Sequence, residues 1–180
     1  EMFCENVRVP VENVIGGINN GWHVAITTLM HERGTVAIAV QVRLKLMLDT
    51  LLAKAKKTVR NGRPVTEDPL IRQKLAQAHM DVELLKLNGY RSLTKMLKGE
   101  PGPEGSIGKL FWSELNQRME ELAVEILGPA ALLEAGSRYA EDNGFWLYQF
   151  LRSRGNTIEA GTTEIQKNII SERVLGMPRG

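Results

Sequence analysis

The sequence predicts an all-α protein: an antiparallel up-down helical bundle with a short residual strand at its N-terminus. Three observations carry the prediction. Long stretches repeat their apolar residues at helical spacing; short breaks rich in Gly and Pro separate them; and residues suited to helix starts stand at the breaks.

The elements follow in order. From Phe3 to Val9 apolar and polar residues alternate, and Pro10 ends the run, which reads as a strand. VENVIGGINNG (11–21) reads as a loop, and Asn20 as the N-cap of a first helix from Gly21 to about Lys54. Its apolar face includes Trp22, Ile26, Leu29, Val40, Leu44, Leu48 and Leu51. VRNGRPVTEDP (59–69) breaks the pattern, and Asp68 with Pro69 opens a second helix to about Lys98. GEPGPEG (99–105) is a linker. Ser106 starts a third helix carrying Ile107, Leu110, Phe111, Leu115, Met119, Leu122 and Ile126, and LGP (127–129) closes it. A fourth, aromatic helix is expected over Tyr139–Leu151 and a fifth over Thr163–Leu175, stopped by Gly176 and Pro178. A stub of strand leading into a bundle implies a β domain upstream. Residues 1–20 are then its tail and linker, and 21–180 the helical domain. The missing initiator methionine suits a piece of a longer protein.

Composition excludes several classes. The 180 residues, 43% hydrophobic and 24% charged, are those of a globular domain with a proper core. A net charge of +2, with both signs interspersed, gives no basic stripe for nucleic acid. KAKK (54–57) reads as a solvated helix face. No apolar run approaches the roughly 18 residues of a membrane span. Cys4 is the single cysteine, so no disulfide framework exists and a reducing cytoplasm is the default location. His23, His31 and His79 lack zinc-ligand spacing, and no metal site is expected.

Two stretches could carry chemistry. In TIEAGTTEIQ (157–166), Thr163 and Gln166 have capping-box spacing, and Gly161 permits close backbone approach. Free N–H groups at a helix start favour an anion, although taken locally a capped helix with nothing bound is the favoured reading. In LMHERGTVA (29–37), Glu32 shares a helix face with Ala25, Thr28, Thr35 and Ala39. A carboxylate among small side chains leaves room for a flat ligand, and exclusion of water would raise its pKa towards that of a general base. The competing reading is a close helix–helix contact with Glu32 paired to a cation. FWLYQF (145–150) reads as core and interface.

TIEAGTTEIQKNIISERVLGMPR closely resembles the C-terminal signature of acyl-CoA dehydrogenases. VRVPVENVIGGINNGW resembles the family's junction between its middle β domain and C-terminal helical domain. LMHERGTVA and LGP match a helix and a turn of that domain. The resemblance covers essentially the whole chain and implies the last third of an FAD-dependent enzyme, a fragment expected to be inactive alone. Such enzymes desaturate acyl-CoA thioesters to trans-2-enoyl-CoA. A carboxylate takes the α-proton while a hydride leaves the β-carbon for the flavin.

The resemblance also assigns residues. Many members place the base just before the Gly-Thr of the tail signature, which here is Ala160; Glu159, one residue earlier, is a weaker alternative. A branch similar to the isovaleryl- and long-chain enzymes has its base on the first helix of this domain, before an arginine. Glu32 and Arg33 match that position and are the expected catalytic pair. Gly161, Thr162 and Glu164 are implied near the FAD of their own subunit. Thr58, Asn61 and Pro69 stand where members often reach a neighbour's FAD, and all three depart from the pattern. So do Glu125 and Pro129. Some bacterial members are heteromers with half the usual flavins, and the departures suit that arrangement. A homo- or hetero-tetramer, with electron-transfer flavoprotein as acceptor, is the implied assembly. The alternatives are a non-catalytic helical subunit and an acyl-CoA oxidase.

Overall fold

The computed structural model describes residues 3–99, 102–103 and 105–179, and of residues 30–38 the backbone alone. Helix α1 (Gly21–Lys57) runs for 37 residues, about 55 Å at the usual rise. Asn20 stands at its N-cap position, but the amide donates back to the Gly16 carbonyl at 3.0 Å instead of capping. Lys54, Lys56 and Lys57 in the last turn complement the negative end of the helix dipole.

The segment expected only as a break is a small hairpin. β1 (Val59–Arg60) and β2 (Arg63–Pro64) pair antiparallel, Val59 opposite Pro64. Asn61 and Gly62 turn between them at φ 53° and 76°, the left-handed geometry that two-residue hairpin loops require. Arg60 donates to the Glu125 carbonyl and ties the hairpin to the third helix. The strand expected over Phe3–Val9 is not formed, because no neighbour among the described residues takes up its backbone groups.

Helix α2 (Pro69–Leu97) starts as expected: the Asp68 carboxylate accepts from the Leu70 N–H at 2.8 Å, with Pro69 first in the helix. α3 (Gly105–Leu127) is followed by one short 3-10 turn, Gly128–Leu132, and by a turn at Glu141–Gly144. α4 spans Phe145–Asn156, so the helix expected from Tyr139 begins six residues later. Asp142, Asn143 and Gly144 all have positive φ (48°, 51° and 80°), which no right-handed helix can contain. α5 (Thr163–Ile169) runs into one π-helical turn, Ile170–Val174.

α1, α2 and α3 pack against one another, and α3 also carries α4 and α5. One core cluster gathers Leu51, Ile71, Leu122, Ile126 and Trp146. The other gathers Leu44, Leu48, Val82, Leu85, Leu115 and Met119, and Met47 and Leu52 touch both. Each fully buried side chain of this kind contributes about 1.5–3 kcal/mol. Lys54 then bridges Glu141 at 2.5 Å and Asp142 at 2.8 Å, joining the end of α1 to the turn before α4. Among the described residues no helix is long and apolar enough to cross a membrane.

Candidate functional site: the turn between α4 and α5

α4 ends at Asn156, and the chain reaches α5 through Thr157–Thr162. Ala160 sits in the left-handed region at φ 53°, a conformation that costs a non-glycine residue about 1–2 kcal/mol. Gly161 follows at φ 98°, and a Cβ added there would meet the Gln166 amide nitrogen at 2.6 Å. The backbone there favours glycine, and a side chain would in addition have to displace the Gln166 amide behind the turn.

What lies behind it is polar and buried. Gln166 is 0% exposed, and its Nε2 donates to the Ala160 carbonyl at 2.9 Å and the Gly161 carbonyl at 3.4 Å. Lys109 of α3, 4% exposed, donates from Nζ to the same Gly161 carbonyl at 2.7 Å. Gln166 Oε1 is buried without a partner among the described residues. The capping box expected for Thr163 and Gln166 is not formed. The N-cap is Thr162, whose hydroxyl accepts from the Ile165 N–H at 3.4 Å, which leaves Gln166 one position too late to reach back.

The expected site residues fall into three groups. Gly161, Thr162 and Glu164 come together at this turn. The Glu164 carboxyl is held below its usual range, first by its own backbone N–H and then by the Thr162 hydroxyl. The start of α5 thus already holds a carboxylate of its own. Glu159 lies on the solvent side of the turn, ion-paired to Arg152 at 2.8 Å. Glu32 and Arg33 stand on α1, and their side chains lie outside the described residues.

Sequence reasoning missed a seam of polar side chains inside the bundle. Ser106, Lys109, Ser113, Asn116 and Glu120 are all buried on α3. Asn156 of α4 donates to Asn116 Oδ1 at 2.6 Å, and Asn116 donates to Glu120 Oε1 at 3.1 Å. Gln117 reaches the Ser153 carbonyl at 3.2 Å and the Thr157 hydroxyl at 3.0 Å. Glu120 is 0% exposed, with Oε2 unpartnered. Burial pushes its pKa up to about 7, with the Asn116 hydrogen bond and the Arg43 charge offsetting only part. The signal was present: these positions recur at alternating three- and four-residue steps, the core spacing of a helix. An apolar count along α3 passes over them.

Fold and site define a helical bundle domain whose last helix is latched to the centre of the bundle. Residues 19–175 match the family described as acyl-CoA dehydrogenase, C-terminal domain, and the chain belongs to that family. It is 34% identical to acyl-CoA dehydrogenase IpdE1 of Mycolicibacterium smegmatis, over 99% of this chain and 42% of that protein. The solved steroid ACAD Tcur3481–Tcur3483 superposes with a TM-score of 0.83 at 29% identity, covering 98% of this chain and 44% of that one. The ChsE4–ChsE5 complex from Mycobacterium tuberculosis gives 0.81 at 29% identity, over 96% and 45%. The chain thus spans less than half the length of these relatives.

Proposed function

We propose that this chain is the C-terminal domain of an FAD-dependent acyl-CoA dehydrogenase that desaturates an acyl-CoA thioester to the trans-2-enoyl-CoA. The match of residues 19–175 to that domain of the family carries the reading. In the reading, residues 1–20 are the tail and linker of a β domain, and 21–180 the helical domain. Glu32 is the base that removes the α-proton, with Arg33 balancing the local charge. The thioester α-proton is weakly acidic, so the base must be kept from water if it is to work near neutrality. Glu159 is disfavoured, because its carboxylate is half exposed and paired to Arg152, with side-chain exposures of 46% and 45%.

FAD, when bound, supplies the acceptor for the hydride from the β-carbon. Gly161, Thr162 and Glu164 would meet it. Apolar surface for a flat ring lies on both sides of Gly161 and Thr162 in the chain, where Ile158 is 66% and Ile165 48% exposed. Thr58, Asn61 and Pro69 are engaged locally, Thr58 donating to the Lys54 carbonyl at 3.0 Å, Asn61 making the hairpin turn and Pro69 opening α2. This favours a heteromer, in which a related chain completes the flavin sites, over a homotetramer. The two-component names of the similar solved structures support the same choice. The word steroid in one of them makes a steroid side-chain thioester the first substrate class to assay. Electron-transfer flavoprotein is the proposed acceptor. Slow reoxidation of the reduced flavin by dioxygen distinguishes a dehydrogenase from an oxidase.

Anaerobic bleaching of the flavin by acyl-CoA, in the full-length protein with any co-purifying partner, tests the assignment. Glu32→Gln should slow bleaching by about 10²–10⁴-fold, the usual worth of a general base, and Glu159→Gln should change it little. The reverse result moves the base to Glu159. A full-length protein that binds no flavin, alone or with its partner, leaves the non-catalytic subunit as the reading.

A further inference from the structure

Gln166 is an uneconomical choice for a core position. A buried amide with one end unpaired is worse for stability than an apolar side chain of similar size. Its Oε1 has no donor among the described residues, while its Nε2 is directed at the Ala160 and Gly161 carbonyls. Lys109 reaches the Gly161 carbonyl from the opposite element, α3, at 2.7 Å. These two side chains converge on the one place among the described residues of the tail where a non-glycine residue, Ala160, holds a left-handed backbone next to a glycine with φ 98°. Such a conformation persists only where its surroundings over-determine it.

We infer that Lys109 and Gln166 are positioning residues. They clamp the Ala160–Gly161 backbone in its left-handed form and so fix the surface that this turn offers to the flavin. The flavin part of the inference rests on the function proposed above, whereas the clamp rests on the geometry alone. The clamp explains why polar groups are tolerated here: stability is given up locally so that two carbonyls point inward and the outer edge of the turn keeps one shape.

Gln166→Met separates this role from ordinary packing, because it fills the same space without donors. In the full-length protein with its partner, three quantities are read: the thermal midpoint, hydrogen exchange at the Glu159 and Gln166 amides, and retention of flavin on dilution. Those amides donate to the Gly155 and Thr162 carbonyls on either side of the turn. The expected result is a small loss of midpoint, because the Ala160 carbonyl loses its donor, with exchange at both amides at least tenfold faster than that loss accounts for, and flavin dissociation about tenfold faster with the acyl-CoA KM unchanged. Lys109→Met should act in the same direction on the turn, and Lys109→Arg, which keeps a donor, should restore slow exchange. Unchanged exchange at the turn in Gln166→Met overturns the clamp. So does a loss of midpoint that accounts for the faster exchange. Faster exchange with unaltered flavin retention overturns the flavin half while leaving the proposed function intact. A wild-type complex without flavin overturns the proposed function and that half together, and the exchange data still decide the clamp.

Discussion

At the scale of single residues, the buried carboxyl of Glu120 sets a pH dependence whose sign follows from its surroundings. Asn116 and, through charge, Arg43 are the groups that favour its ionised form, and burial outweighs both. The folded state therefore holds a proton that the unfolded chain releases near the ordinary glutamate pKa. That contribution to stability is complete below the unfolded value and is lost as pH rises through about 7. The shift corresponds to a loss on the order of 3 kcal/mol. Urea unfolding from pH 4 to 8 should show this decline in the native chain, and Glu120→Gln should be flatter by that amount and the more stable of the two at pH 8. Parallel profiles for the two proteins would refute the assignment. Little of this is apparent in the sequence taken residue by residue: Glu120 reads as one more charge in a helix, and only its place in line with Asn116, Ser113 and Lys109 marks it as interior.

Among the elements, helix starts divide into strong and weak. The Asp68 carboxylate accepts at 2.8 Å, whereas the Thr162 hydroxyl accepts at 3.4 Å. Asp68→Ala should cost about 1 kcal/mol in denaturant unfolding, and Thr162→Ala clearly less, since the weaker bond supplies little to remove. Asp68 was readable because aspartate before proline has few other uses. Thr162 was not, because two threonines stand side by side and the choice depends on where Ala160 and Gly161 aim the chain. The three long helices were equally plain, their apolar spacing being sustained over many turns. α4 was misplaced for a physical reason: Asp142 and Asn143 tolerate left-handed backbone when Gly144 follows, and a polar triplet inside an aromatic stretch does not announce that. The N-terminal alternation at Phe3–Val9 is a strand pattern whose partner is not among the described residues, so pattern alone could not form it.

For the whole molecule, α3 is the element on which all the other helices converge, and its buried seam has a consequence in time rather than in space. Asn116 takes its hydrogen bond from Asn156, Gln117 donates to Ser153 and Thr157, and Lys109 donates to Gly161. Every one of those partners lies well downstream of α3 in the chain. During synthesis the first three helices emerge before α4 and α5, and until those arrive the face of α3 that carries these groups is uncovered and their register is not yet set by any partner from the tail. The bundle should wait in a loose state until α4 and α5 appear, and only their arrival fixes its register. A chain ended at residue 140 should accordingly show strong helical signal in the far ultraviolet and a weak, averaged near-ultraviolet signal from Trp112. A sharp near-ultraviolet spectrum from that fragment would mean that the first three helices lock by themselves. With the weak, averaged spectrum, the tail that carries the family signature is, besides a wall of the proposed flavin site, the last word in the protein's own folding.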